Sequence, residues 1–132
     1  MDNLNLNYKN IKTLTLAYIG DAVYELMVRN KTIEKYPNLP LFKLHVLVVD
    51  KVKAFSQSKI YDYLKTKISA DEYEIMKMGR NNKVGHYPKN SNPMEYHKAT
   101  GVETLFGYLF LNKEYDKLSK YFNDAYCYLE EL

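Results

Sequence analysis

The chain has no tryptophan and a single cysteine, Cys127. One thiol excludes an internal disulfide framework and any cysteine-built zinc site, and it suits a reducing compartment. With four prolines and five glycines, there is no low-complexity block, and no internal repeat is present. No apolar run approaches the ~20 residues that span a bilayer, and the first residues lack the charged, apolar and small-residue succession of a signal peptide. These absences imply a soluble, cytoplasmic protein with no membrane partner. The 132 residues suit one domain, 1–132, with one core. A chain of this size buries roughly two-thirds of its unfolded surface and needs no covalent staple.

Charge of one sign is scarce overall, since the net +3 does not by itself imply a nucleic acid. Its distribution is more telling. Between positions 77 and 98 five cations, Lys77, Arg80, Lys83, Lys89 and Lys98, face one acid, Glu95. The segment also holds His86 and His97, which read more simply as surface residues than as catalytic ones. From Arg80 to Pro93 it has two prolines and no apolar periodicity, longer than a usual connection. Such loops carry function or lack order.

Periodicity predicts helices elsewhere. Met1–Asn10 is a polar loose end. Ile11, Leu14, Tyr18, Ile19, Ala22, Val23, Leu26 and Met27 recur at three- and four-residue steps, as in a helix largely buried in protein, from about Ile11 to Asn30. Pro37 and Pro40 lie in a connection. Leu41 to Lys65 reads as a second long helical stretch, despite the β-branched Val46-Leu-Val-Val49. Ser69-Ala-Asp-Glu72 matches a capping box opening a helix to about Arg80. A helix from about Met94 to Asn112, with Pro93 near its first turn, and an amphipathic one over Lys113–Leu132 complete an all-α chain.

Two of these helices carry the same anomaly. In the first, the apolar run is interrupted by Gly20 and Asp21. In the helix after the basic loop, it is interrupted by Gly101, Gly107 and one carboxylate, Glu103. A glycine weakens a helix interior by about 1 kcal/mol, and a buried unpaired carboxylate costs several. Gly20-Asp21 could instead be a helix break capped by Asp21, or the acids could pair with bases such as Lys77 or Arg80. If the two helices pack at their glycines, Asp21 and Glu103 come together, and two carboxylates meet in a dry interior only with a proton or cation between them. Magnesium accepts one or two carboxylates and keeps its waters. Glu25, four after Asp21, could add an oxygen or pair with a base, and Thr100 shares the face of Glu103 and Gly107. Joined to a basic loop, this points to phosphate chemistry.

These residues resemble a known family. Leu16-Ala-Tyr-Ile-Gly-Asp-Ala-Val-Tyr-Glu25 resembles the signature helix of ribonuclease III catalytic domains. Thr100-Gly-Val-Glu-Thr-Leu-Phe-Gly-Tyr-Leu-Phe-Leu111 resembles the family's second acidic motif. Gly79-Arg-Asn81 and Pro88-Lys-Asn90 are similar to the loop of its short subfamily, Mini-ribonuclease III. The resemblance implies a ribonuclease III-like helical bundle in which Asp21 and Glu103 are catalytic and metal-binding, with Glu25 and Thr100 as candidate support. It implies a magnesium-dependent endoribonuclease, manganese being a plausible substitute, acting on double-stranded RNA as a homodimer. Products with 5′-phosphate and 3′-hydroxyl ends are implied, and precursor 23S ribosomal RNA is the implied substrate. Ala17 and Thr100 stand where full-length enzymes have acids, which bears on metal number. No room is left for the usual double-stranded-RNA-binding domain. Substrate grip would then fall to Lys77, Arg80, Lys83, His86, Lys89 and Lys98, and a large-subunit ribosomal protein is a candidate partner. The rival reading is a non-catalytic helical dimer that binds structured RNA.

Overall fold

The structure, a computed structural model, describes residues 11–82, 87 and 89–132; the predicted RNA-binding residues Lys83 and His86 lie outside them. Six helices follow in order: α1 (Thr13–Lys35), α2 (Leu41–Val52), α3 (Ala54–Leu64), α4 (Ala70–Arg80), α5 (Pro93–Leu111) and α6 (Tyr115–Glu130), and no strand occurs among the described residues. The all-α expectation holds.

Helix α5 is the axis. From Ala99 onward it is buried on nearly every side, which suits a central helix, and it packs against α1, α3, α4 and α6. Its Val102, Leu105, Phe106 and Leu109 are fully buried with Tyr24, Val28, Ile60, Leu64, Met76 and Ala125. The Asn92 side chain caps its start by accepting from the backbone N–H groups of Met94 and Glu95 at 3.0 and 3.3 Å, with Pro93 in the first turn. The predicted capping box opens α4: Ser69 Oγ accepts from Glu72 N at 3.2 Å and Glu72 Oε1 accepts from Ser69 N at 2.9 Å. Lys117 and Tyr121 of α6 donate to the same Glu72 carboxylate, at 3.1 and 2.7 Å, and tie α6 to the α4 cap.

Two expectations need correction. The stretch Leu41–Lys65 is two helices, broken at Lys53, whose backbone is extended (ψ 156°). No glycine or proline announces this break. Side chains sustain it by taking up the carbonyls that α2 leaves open. Ser56 Oγ donates to Asp50 O at 2.5 Å, Tyr24 Oη to Lys51 O at 2.6 Å and Gln57 Nε2 to Val52 O at 2.8 Å.

Second, α1 is not wrapped on all sides. It buries Leu16, Ala17, Gly20, Val23, Tyr24, Val28 and Thr32, while Leu14, Tyr18, Leu26 and Ile33 point outward. Leu41, Phe42, Val46 and Val49 of α2 are exposed as well. Among the described residues nothing covers this side of α1. An apolar surface built from two packed helices marks an interaction face.

Candidate active site

Helices α1 and α5 cross backbone against backbone. A Cβ on Gly20 would stand 1.6 Å from the Glu103 carbonyl oxygen, and one on Gly107 would stand 1.9 Å from the Leu16 carbonyl oxygen. Only hydrogen fits at either place. This crossing sets Glu103 of α5 beside Asp21 of α1, close enough for their carboxyl groups to share a hydrogen bond. Helix α1 runs unbroken through Gly20, so Asp21 does not cap a new segment. Asp21 is exposed rather than buried. It opens on a groove lined by Tyr18, Ile19, Ala22, Glu25, Leu26 and Arg29. Glu103 is the sunken member of the pair.

Burial first, and the neighbouring Asp21 charge second, push the Glu103 carboxyl up to about 8, while a hydrogen bond from Gln57 works the other way. Without a cation the two acids therefore share their site with a proton. The unfolded chain holds that proton only to about pH 4.5, so the folded state binds more protons between these values. Its stability contribution is complete below the lower value and is lost as pH rises to the upper one. Metal-free protein should accordingly lose about 2 kcal/mol relative to Glu103→Gln between pH 6 and pH 8.5. Thermal melts of both proteins in chelator check this. Parallel pH profiles would show that Glu103 titrates normally.

The remaining predicted site residues are placed less uniformly. Glu25 lines the same groove but accepts from Arg29 at 2.6 Å, so it takes the base-paired alternative. Thr100 is buried and its hydroxyl donates to Tyr96 O at 3.1 Å, within its own helix. Lys77 pairs with Glu74 at 3.0 Å and lies over the Tyr73 ring. Arg80 stacks on Tyr61, 5.7 Å from the ring centroid, and donates to Asn81 Oδ1. Lys98 binds both oxygens of Asp62, at 2.9 and 3.2 Å. Lys89 is exposed. His97 meets the Tyr87 hydroxyl at 2.5 Å. Neither acid pairs with Lys77 or Arg80. Gln57, whose Nε2 donates to Glu103 Oε2 at 3.5 Å, is a site residue that no spacing or motif in the sequence announces.

Among the described residues no group of three or more His, Cys, Asp or Glu side chains is positioned to hold a metal ion. Two carboxylates held together against their mutual repulsion are nevertheless a donor set suited to a hard divalent cation, which takes one or two carboxylates and completes its shell with water. Asp21 and Glu103 fit such an ion.

The fold and site thus define an all-helical domain in which two acids from different helices meet where those helices cross at glycines. Residues 14–114 match the family model described as Ribonuclease III domain. This chain belongs to that family, in its Mini-ribonuclease 3 branch, and is an endoribonuclease of that type. It is 38% identical over 112 residues to the Mini-ribonuclease 3 of Clostridium tetani, covering 85% of this chain and 74% of that protein. It is 34% identical to that of Staphylococcus aureus, covering 99% of each. The crystal structure of a Fusobacterium nucleatum protein superposes with a TM-score of 0.81 at 29% identity, over 93% of this chain and 96% of that one.

Proposed function

We propose that this chain is a magnesium-dependent endoribonuclease that cuts double-stranded RNA as a cytoplasmic homodimer, with precursor 23S ribosomal RNA as its natural substrate. The observation that carries the reading is the meeting of Asp21 and Glu103 at the α1–α5 crossing. These two residues would hold magnesium, or manganese in its place. When bound, the ion supplies polarisation of a phosphoryl oxygen and a water of lowered pKa. Asp21, on the groove side, presents its carboxylate where a duplex backbone can reach it. Glu103, half-buried and proton-binding when alone, anchors the pair from within and gives up its proton as a cation takes its place.

The apolar face supports a dimer. Leu14, Tyr18 and Leu26 flank Asp21 on α1 and continue into Leu41, Phe42, Val46 and Val49 of α2. A second copy seated there would add a second acid pair beside the first. The direct test is incubation with magnesium and a long RNA duplex, single-stranded RNA serving as control. Shortened duplex alone is expected; intact duplex would leave only an RNA-binding domain.

Lys77, Arg80, Lys83, His86, Lys89 and Lys98 would hold the duplex backbone, an A-form helix being read by its shape, phosphates and 2′-hydroxyls. Replacing Lys83, His86 and Lys89 with alanine should weaken duplex binding. The log–log salt slope should fall by roughly one unit per lost phosphate contact. Fluorescence anisotropy across a salt series measures it, and an unchanged slope removes the loop from the interface.

A further inference from the structure

Gln57 has a set of partners that packing alone does not require. It is 3% exposed. One amide nitrogen serves two acceptors, Val52 O at 2.8 Å and Glu103 Oε2 at 3.5 Å. Its Oε1 is buried and has no hydrogen-bond partner among the described residues. Closing the end of α2 requires a single donor, and Ser56 closes the neighbouring carbonyl of Asp50 with a hydroxyl. The amide at position 57 does more, because it joins that junction to the sunken acid. A buried acceptor left open is rare in folded proteins, and it is expected where water or a hydrated ion completes the site.

The need for such a joint follows from the geometry. Two carboxylates turned toward one cation repel each other, and a long glutamate side chain needs a donor to fix its direction. Among the described residues Gln57 Nε2 is the side-chain N–H that donates to Glu103. On the nuclease reading above, we propose that Gln57 is the positioning residue for Glu103. Its amide N–H, braced by the Val52 carbonyl, holds the ionised carboxylate toward Asp21, so that both acids face one divalent cation. Partners that orient a metal ligand in this way are typically worth 10- to 100-fold in affinity or activity.

The experiment uses the full chain with Mn2+ as the probe, its binding followed by electron paramagnetic resonance without RNA, alongside kcat and KM on a duplex. Gln57→Met keeps length and volume but removes the donor. Gln57→Asn keeps an amide too short to span both acceptors, and serves if the methionine variant folds poorly. Either folded variant should bind Mn2+ about 10- to 100-fold more weakly and lose kcat to match, with KM for the duplex unchanged. Ser56→Ala, which loosens the same helix junction without touching Glu103, should bind Mn2+ as the wild type does. Wild-type Mn2+ affinity in a folded Gln57 variant overturns the proposal. So does an equal loss in Ser56→Ala, which would assign the effect to the junction. Failure of the nuclease reading shows separately, as absence of duplex cleavage by the wild-type chain.

Discussion

Asp21→Asn should lower kcat on duplex RNA by at least about a hundredfold, the range lost with one preorganised electrostatic contact (~10²–10³), and should not lower stability. The two halves of this expectation have one cause. Asparagine matches aspartate in size, and position 21 is exposed, so no packing is disturbed. The substitution removes the charge that helps hold the Glu103 carboxyl up at about 8, and with it a repulsion the folded chain now bears. Metal-free Asp21→Asn should therefore melt at or above the wild-type temperature at pH 8. Its affinity for magnesium should fall, because a neutral amide replaces one of two anionic donors. Activity and stability thus move in opposite directions, which damage to the fold cannot imitate. Calorimetry and a gel-based cleavage assay on the same preparation check both. A variant that cuts as well as the wild type would remove Asp21 from the chemistry.

How far the letters revealed this site depends on which residues are considered. Gly20, Asp21, Glu103 and Gly107 were legible because each violates a local rule. A glycine or an acid within an apolar helical run is locally unfavourable, and such conflicts gather at functional sites. Their meeting was legible because only helices crossing at glycines can approach so closely. The exposure of Asp21 was not legible. The periodicity of α1 shows apolar residues around most of the helix, but not which stripe faces this chain and which faces outward. Tyr18 and Leu26 carry the same signal as Val23 and Val28, yet two are exposed and two buried. The break at Lys53 was hidden for another reason. Hydrogen bonds from Ser56, Tyr24 and Gln57 hold it, and one of these donors lies on a different helix. Gln57 itself is one polar residue in the stretch Ser56-Gln-Ser58, and only the tertiary fold sets it against Glu103.

Gly20→Ala should destabilise the protein by about 3 kcal/mol or more, the upper range for overpacking a filled interior, and lower the Tm by roughly 10 °C. Two effects compete. Alanine favours the helical state over glycine by about 1 kcal/mol and also restricts the unfolded chain. Against this, the added methyl carbon would fall 1.6 Å from the Glu103 carbonyl oxygen, 2.5 Å from its carbon and 2.8 Å from Gly107 N. All three are backbone atoms, so no side chain can swing aside. Relief requires α1 and α5 to move apart. That loosens the edge-to-face contact of Tyr24 with Phe106, whose ring centres lie 5.6 Å apart in the middle of the core. Steric cost exceeds propensity gain. The same displacement carries Asp21 away from Glu103, so molecules that remain folded should also cleave duplex RNA more slowly. Circular dichroism melts together with kcat measured well below the Tm test the two consequences. Wild-type values for both would mean that the helices do not cross in backbone contact, and the acid pair would lose the geometry that brings it together.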